Sequence, residues 1–273
     1  MEHFTASDGA RIAYRDEGRG RPLVFLHGLM AHSGFFHGQH PLAEDYRLIA
    51  VDLRGHGESR GVRGGLTMGR LADDVAELAA RLDLSGAVGI GWSLGATVLW
   101  RLLAGSGGGR FAGAVVVDMT PRVLNDENWT LGLSRETCEA RSAAIAEDFQ
   151  AFAAGAGQAI FAAPGADADW AAREFADNDG AAVGALWESL VDEDLRDALR
   201  DIRQPTLVVR GAHSHLYGPS TADYLVGALP SAASIEFGSS GHAPHLEQPD
   251  LFNATLRDFA AMLPPVATEH VTA

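Results

Sequence analysis

The chain has 273 residues, of which 47% are hydrophobic, and carries a formal net charge of −15. A chain of this length can bury a large core, either in one large α/β domain or in two small ones. The anionic balance disfavours binding to nucleic acid or to anionic lipid, so neither is an expected partner.

Cysteine content and terminal composition restrict the cellular setting. Cys138 is the only cysteine, which excludes an intramolecular disulfide and a cysteine-rich metal framework. The first residues lack a basic segment followed by an apolar run, and the chain has no run of about 18 apolar residues. We therefore expect no signal peptide, no membrane span and a cytoplasmic location, while no pattern indicates an oligomeric state.

Short apolar segments recur along the chain and predict strands. The first, Arg11 to Asp16, alternates apolar and polar residues after the turn signal Asp8-Gly9, which predicts a half-exposed edge strand. The later runs are continuously apolar, as is typical of strands covered on both faces. They are Pro22–Leu26, Leu48–Val51, Ala87–Ile90, Ala114–Val117 and Thr206–Val209, and a last strand is predicted at Ser234–Phe237.

Helical patterns lie between several of these strands. Met68 to Leu82 and Ser93 to Leu103 carry apolar residues at helical spacing, and Leu246 to Leu263 predicts a closing helix. Alternation of strand and helix is typical of an α/β fold with a mostly parallel central sheet flanked by helices. Ligand sites in such folds lie beyond the carboxyl ends of the strands.

One long segment interrupts the alternation. Residues 121–204 are rich in Ala, Asp, Glu and Trp, with helical periodicity and no convincing strand. We interpret this segment as a helical insertion into a core formed by residues 1–120 and 205–263. The end of the chain, residues 264–273, is expected to be a disordered tail.

A possible nucleophile lies at a junction between strand and helix. Residues 91–95, Gly-Trp-Ser-Leu-Gly, follow the strand that ends at Ile90 and lead into the next predicted helix. The sharp turn of a nucleophile elbow exposes its serine, and the helix N-terminus favours a developing oxyanion. This context favours Ser93 as a nucleophile over the alternative of a tight turn that contains a serine by chance.

Two further segments occur in the order that this architecture uses. Residues 27–30, His-Gly-Leu-Met, directly follow the strand that ends at Leu26, where a backbone N–H could contact an oxyanion. Residues 241–249, Gly-His-Ala-Pro-His-Leu-Glu-Gln-Pro, follow the last predicted strand. The order of serine first and histidine last matches the chain order of the α/β-hydrolase triad.

At this point the chain resembles the α/β-hydrolase family, from about His3 to Leu263. Besides the elbow and the two segments above, Asp52 to Ser59 matches the family's Asp-x-Arg-Gly-x-Gly-x-Ser loop after the fourth strand. The resemblance implies the α/β-hydrolase fold with a helical cap inserted after the sixth strand.

The resemblance also implies roles for particular residues. Ser93 would be the nucleophile and His242 the general base and then general acid, with the N–H groups of Leu29 and Leu94 as oxyanion donors. His27 is expected to brace the oxyanion loop, and the Asp52 to Ser59 loop to support it. The other histidines show no metal-like pairing, so neither a metal nor a cofactor is expected.

The triad acid is missing from its usual place. The family generally carries it after the seventh strand, where this chain has Ser214. Asp118, at the end of the strand Ala114–Val117, is the best substitute. Some members of the family that this chain resembles carry their acid after the sixth strand. The alternative that Asp118 caps the turn at Thr120-Pro121 stays open. Poorer candidates for the acid are His213, Asp223 and Asp126.

In the family, an insertion after the sixth strand forms a lid that shapes the pocket. Met30, Trp92 and Trp129 are predicted to line this pocket, and the segment supplies further aromatic residues that could pack between helices instead. These are Phe152, Phe161, Trp170, Phe175 and Trp187.

The sequence favours a cofactor-free serine hydrolase that cleaves a small-molecule carboxylic ester through an acyl-serine intermediate. A lactonase, a thioesterase, a carbon–carbon bond hydrolase or a cofactor-free perhydrolase would use the same residues. Ser214 at the usual acid position also leaves open a binding protein that kept the fold and lost turnover.

Overall fold

The computed structural model describes residues 1–265, and most of the segment expected to be a disordered tail, residues 266–273, lies outside them. Its strands form a single sheet. They are β1 (Glu2–Thr5), β2 (Arg11–Gly18), β3 (Arg21–Leu26), β4 (Tyr46–Asp52), β5 (Ala87–Trp92), β6 (Phe111–Val117), β7 (Thr206–Gly211) and β8 (Ala232–Phe237).

The spatial order of the strands is β1-β2-β4-β3-β5-β6-β7-β8. Strand β2 is antiparallel to β1 and β4, and all other neighbours are parallel. The mostly parallel sheet predicted from the apolar runs is therefore confirmed. The edge position predicted for Arg11 to Asp16 is wrong, because residues 2–5 add an outer strand that pairs with residues 11–14.

Helices flank the sheet and lie between several of its strands along the chain, as predicted. They are α1 (Met68–Arg81), α2 (Leu94–Ala104), α3 (Arg135–Glu147), α4 (Phe149–Ala159), α5 (Ala166–Ala176), α6 (Gly180–Val191), α7 (Pro219–Ala228), α8 (Pro244–Glu247) and α9 (Pro249–Met262). Short 3₁₀ segments span Ser33–Glu44, Gly57–Ser59, Ser106–Arg110 and Ala198–Asp201. Within residues 1–265, the helices lack the length and apolar character that crossing a membrane requires.

Two glycines show which helices cover the two faces of the sheet. A Cβ atom on Gly89 of β5 would collide with Leu99 of α2, and one on Gly113 of β6 would collide with Leu263, directly after α9. Gly113 pairs with Val88, the neighbour of Gly89, so the two glycines face opposite sides. Helices α2 and α9 therefore cover opposite faces, and the strands between them are buried on both.

The segment between β6 and β7 contains helices α3 to α6 and no strand of the sheet, as its composition indicated. Polar contacts join it to the rest of the molecule. Asn178 Nδ2 donates to the Met30 carbonyl at 2.7 Å, and the Ala162 N–H donates to Glu247 Oε1 at 2.7 Å. We refer to residues 121–204 as the helical cap.

The loop from Asp52 to Ser59 is held by buried polar contacts. Asp52 accepts hydrogen bonds from the backbone N–H groups of Ser33 at 2.7 Å and Glu58 at 2.9 Å. Arg54 is almost fully buried, and its Nε and Nη2 donate to the two carboxylate oxygens of Asp74 in α1, each at 2.8 Å. This two-pronged ion pair ties the loop to the helix below it.

Replacing Asp74 by alanine should destabilise the fold, because it leaves the buried Arg54 guanidinium with only the half-exposed Asp8 carboxylate and the Gly64 carbonyl as partners. We expect Asp74→Ala to lower the free energy of unfolding by about 3 kcal/mol. Urea denaturation measures this loss. Asp73→Ala is the matched control in the same helix, since the Asp73 side chain is 69% exposed. A loss of less than about 1 kcal/mol in Asp74→Ala would contradict this account of the loop.

Candidate active site

Ser93 occupies a strained turn between β5 and α2. Its φ of 53° and ψ of −122° lie outside the regions that side chains readily adopt. The turn is fixed by its backbone, since the Ser93 N–H donates to the Val117 carbonyl at 3.0 Å and the Ala96 N–H donates to the Ser93 carbonyl at 2.8 Å. The junction predicted from residues 91–95 is thus present, with the serine at its apex.

The glycines on either side of Ser93 allow strand and helix to approach. A Cβ atom on Gly91 would lie 2.5 Å from the Gly95 carbonyl oxygen, and one on Gly95 would collide with the Leu26 carbonyl oxygen at the end of β3. Neither position can carry a side chain without moving the backbone. The sequence pattern therefore reflects a steric requirement of the turn.

Two backbone N–H groups are placed near the serine. Leu94 begins α2, and the first N–H groups of a helix have no acceptor within the helix. Leu29 follows β3 and lines the same cavity as Ser93. The next residue, Met30, has a φ of 67°, which turns the chain back after Leu29. Leu29 and Leu94, the two residues predicted to donate to an oxyanion, therefore both lie next to the cavity that Ser93 lines.

His27 is fully buried below this loop. Its Nδ1 lies 2.8 Å from the Gly28 carbonyl and its Nε2 accepts a hydrogen bond from the Leu53 N–H at 2.9 Å, which places the ring proton on Nδ1. Burial holds the pKa of His27 well below its ordinary value. A neutral ring with both nitrogens used by the backbone supports the loop and leaves no free nitrogen for proton transfer.

His242 and Asp118 form a buried pair. His242 Nδ1 lies 2.5 Å from Asp118 Oδ2, and each side chain is at most 4% exposed. Asp118 directly follows β6 with a φ of 47°, and its N–H donates to the Val209 carbonyl at 2.8 Å. The Trp92 indole N–H donates to the His242 carbonyl at 2.8 Å and fixes the histidine loop over β5.

Ser214 also contacts the Asp118 carboxylate. Its hydroxyl donates to Asp118 Oδ2 at 2.5 Å, so the residue at the usual acid position supports the acid on the neighbouring strand. The other candidate acids lie elsewhere. His213 and Asp223 are exposed, and Asp126 forms an ion pair with Arg122. The capping alternative for Asp118 also fails, because its Oδ2 is directed at His242 and Ser214.

Ser93 and His242 line one cavity. No hydrogen bond joins Ser93 Oγ to His242 Nε2 among the described residues, whereas His242 Nδ1 is held by Asp118. Catalytic hydrogen bonds are often long in unliganded enzymes and shorten when substrate binds. With Nδ1 held by Asp118, Nε2 is the ring nitrogen left for other contacts.

The cavity has a volume of about 450 Å³, which suits a small organic molecule. Met30 and Trp92 line it, as predicted, and the cap contributes aromatic and aliphatic walls. The lining residues from the cap include Phe152, Ile160, Phe175, Trp187 and Leu190.

Trp129, predicted to line the pocket, lies elsewhere. Its indole N–H donates to the Arg122 carbonyl at 2.8 Å, and its ring packs edge-on against Tyr224, 4.8 Å away. Arg196 covers the ring at 5.4 Å. The expectation is wrong because these contacts use the side chain to anchor the segment between β6 and α3.

Two other aromatic residues of the cap, like Trp129, do not line the cavity. Trp170 packs on Phe35 with ring centroids 4.4 Å apart, and Phe161 is buried among other core residues. Tyr217 and Arg141 also line the cavity, although no sequence pattern predicted them. Burial raises the pKa of Tyr217. Neither residue belongs to a motif, so only their position in the fold identifies them.

Within residues 1–265, no three His, Cys, Asp or Glu side chains are grouped as potential ligands of a metal ion. The polar side chains that line the cavity are those of Ser93, Arg141, His215, Tyr217 and His242.

Comparisons with known proteins find relatives along nearly the whole chain. The model of the alpha/beta hydrolase family matches residues 23–255. A non-heme haloperoxidase from Rhodococcus erythropolis is 30% identical over 272 residues, covering 95% of this chain and 99% of the relative. A pimeloyl-acyl-carrier-protein methyl ester esterase from Nitrosospira multiformis is 29% identical over 255 residues, covering 89% of this chain and 95% of the relative. The solved structure of an esterase from Exiguobacterium antarcticum has a TM-score of 0.90 at 26% identity, covering 95% of this chain and 98% of that one.

Buried neutral histidines around the site should make stability depend on pH. Burial lowers the pKa of His56 to about 4 and that of His245 to about 3. Below pH 6.5 the unfolded chain binds protons that the folded state excludes, so stability present above pH 6.5 is lost as the pH falls. We expect each histidine to contribute a loss of about 1 kcal/mol between pH 6 and pH 5.

Urea denaturation at pH 6 and pH 5 checks this expectation. His245→Phe should reduce the pH dependence by the share of one histidine, and the exposed His213→Leu should leave it unchanged. Equal pH dependence in the two variants would show that His245 does not exclude protons in the folded state.

Proposed function

The chain belongs to the alpha/beta hydrolase family, and from this premise we propose that it is a serine hydrolase that cleaves carboxylic esters through an acyl-serine intermediate. The observation that carries the proposal is the buried pair of Asp118 and His242, because His242 lines the same cavity as Ser93. A histidine oriented by a buried carboxylate is the usual means of activating a serine hydroxyl.

In the proposed reaction, Asp118 keeps the His242 proton on Nδ1 and stabilises the imidazolium that forms later. His242 Nε2 then takes the Ser93 proton while the serine oxygen attacks the ester carbonyl. The Leu29 and Leu94 N–H groups would donate to the oxyanion. His242 returns the proton to the departing alcohol, which leaves the acyl group on Ser93.

Water completes the cycle. His242 removes a proton from it, the resulting hydroxide attacks the acyl carbonyl, and the acid leaves with Ser93 reprotonated. The mostly apolar walls of the cavity favour an apolar acyl or alcohol group beside the reacting carbonyl. The scheme requires no cofactor.

Two solved structures of similar proteins support ester hydrolysis. The solved protein from Exiguobacterium antarcticum is an esterase, as is a protein from a Rhodococcus species that is 29% identical with a TM-score of 0.84. Lactone, thioester or carbon–carbon bond hydrolysis would use the same nucleophile, base and oxyanion donors.

The second candidate function is perhydrolysis, favoured by the relative named a non-heme haloperoxidase. Hydrogen peroxide would replace water as the nucleophile on the acyl-serine. His242 would accept one peroxide proton and return it to Ser93, so a peracid would leave in place of a carboxylic acid. The same residues would serve hydrolysis and perhydrolysis, which differ in whether water or hydrogen peroxide attacks the acyl-serine.

We expect the protein to hydrolyse p-nitrophenyl esters of short or medium acyl chains, because the cavity can hold such groups. Ser93→Ala should abolish this hydrolysis and also the labelling of Ser93 by a fluorophosphonate. Release of p-nitrophenol and mass spectrometry of the labelled protein measure the two effects. The exposed Ser239→Ala, which keeps the backbone contact of that residue, is the control.

Inactivity on all chain lengths, with no fluorophosphonate labelling, would contradict a hydrolase and favour a non-catalytic binding protein. Peracid formed on adding hydrogen peroxide, in proportion to lost carboxylic acid, would support the second candidate. Unchanged carboxylic acid formation would count against it.

Asp118→Asn should lower kcat by about 10³- to 10⁴-fold with the fold retained, because an amide holds the wrong tautomer of His242. Ser214→Ala should lower kcat about tenfold, since Asp118 loses one of its two donors. Steady-state kinetics and circular dichroism provide the measurements. Asp126→Asn, at a cap carboxylate that pairs with Arg122, is the control and should retain normal activity. Near-normal activity of Asp118→Asn would remove Asp118 from the site.

A further inference from the structure

One charged side chain in the cavity takes no part in the proposed proton transfers. Arg141 of α3 is half-buried and lines the cavity that contains Ser93 and His242. It also lines an open groove on the outer side of the cap, as does Phe152. Because the cavity and the groove share these two residues, Arg141 lies at the boundary between them.

The Arg141 side chain lacks the ion-pair partner that two other cap arginines have. Arg122 and Arg196 both pair with Asp194. The Arg141 side chain forms no ion pair and no hydrogen bond with any residue in the described part of the chain. Its guanidinium instead lies over the Trp187 ring, 5.5 Å from the centroid. Such stacking holds the guanidinium in place and leaves its N–H groups available.

Trp187 is itself fixed. Its indole N–H donates to Ser142 Oγ at 3.1 Å, and the side chain is buried. Stacking on a fixed ring means that Arg141 loses little further freedom when it binds a ligand. The Arg141 guanidinium is therefore preorganised to bind a ligand.

The remaining charges of the cavity add to this picture. None of the described residues that line it carries a carboxylate, although the whole chain has a net charge of −15. Arg141 and His215 are the basic side chains apart from His242. Glu136 lies in the outer groove and outside the cavity. An anionic group inside the cavity thus meets a cation and no anion.

We propose that the ester substrate carries a carboxylate remote from the scissile bond, and that Arg141 binds this carboxylate at the cap end of the cavity. The planar guanidinium matches a carboxylate with two parallel hydrogen bonds. The proposal rests on the proposed esterase function and deepens it by naming the substrate class. Arg141 is a specificity-determining residue in this role and performs no proton transfer.

Paired esters test the proposal. Monomethyl adipate and methyl hexanoate have the same chain length and differ in a terminal carboxylate, and alkali consumption at constant pH measures the hydrolysis of each. For each variant, the ratio of kcat/KM for the adipate to that for the hexanoate gives the selectivity. A ratio cancels any general loss of activity that a substitution causes.

Arg141→Met should lower the selectivity ratio about 10- to 100-fold, mainly through KM of the adipate, because methionine keeps the contact with Trp187 and loses the charge. Arg141→Lys should retain part of the ratio. Arg135→Met is the matched control, since Arg135 is an exposed residue of the same helix outside the cavity. It should leave both rates unchanged.

The carboxylate could belong to the acid or to the alcohol. A second pair, 4-acetoxybutanoate and butyl acetate, places it on the alcohol side. A loss of selectivity in Arg141→Met for only one pair assigns the side. An unchanged ratio for both pairs, or an equal loss in Arg135→Met, would overturn the proposal.

A binding measurement separates this proposal from the proposed function. Calorimetric titration of Ser93→Ala with monomethyl adipate should give a Kd that Arg141→Met, added to Ser93→Ala, raises about 10- to 100-fold. If the unmodified protein hydrolyses neither ester but this difference in Kd is present, the esterase proposal fails and the anion site stands. If both esters are hydrolysed and the difference is absent, the anion site fails alone.

Discussion

The buried carboxylate of Asp118 is the constraint around which the rest of the site is arranged. A buried charge is costly unless hydrogen-bond donors meet it, and two donors from different parts of the chain converge on its Oδ2. His242 follows β8 and Ser214 follows β7, while Asp118 directly follows β6. One oxygen atom thus joins three neighbouring strand ends of the sheet.

The sheet register places the nucleophile beside this junction. Trp92 at the end of β5 pairs with Val117 at the end of β6, so the residues that follow, Ser93 and Asp118, leave the sheet side by side. Both have positive φ angles, the conformation that an abrupt exit from a strand requires. Two adjacent strained turns therefore set the distance between Ser93 and Asp118, without a contribution from the cap.

The cap is fastened to the same loops. The His242 N–H donates to the Ile160 carbonyl at 2.8 Å, at the end of α4. Glu247 bridges the two parts, because its carboxylate accepts from the N–H of Gly241 and that of Ala162, each at 2.7 Å. Burial raises the pKa of Glu247, and these backbone donors oppose that shift. Pocket walls and catalytic loops consequently share their hydrogen bonds, so the position of one depends on the other.

The sequence predicted the parts of the site that the sheet determines and missed those that depend on side-chain contacts in the cap. Apolar runs locate strand ends, and strand ends locate Ser93 and Asp118. The direction of Trp129 depended on the Arg122 carbonyl, and the donor role of Ser214 on its distance from Asp118. The local charge of the cavity could not be predicted either, because composition gives only the total net charge of −15. Several carboxylates of the cap pair with arginines elsewhere, as in the pairs of Arg101 with Glu193 and of Arg60 with Asp177. None of the described residues that line the cavity is acidic, so Arg141 gives the cavity a local charge opposite in sign to that of the whole molecule.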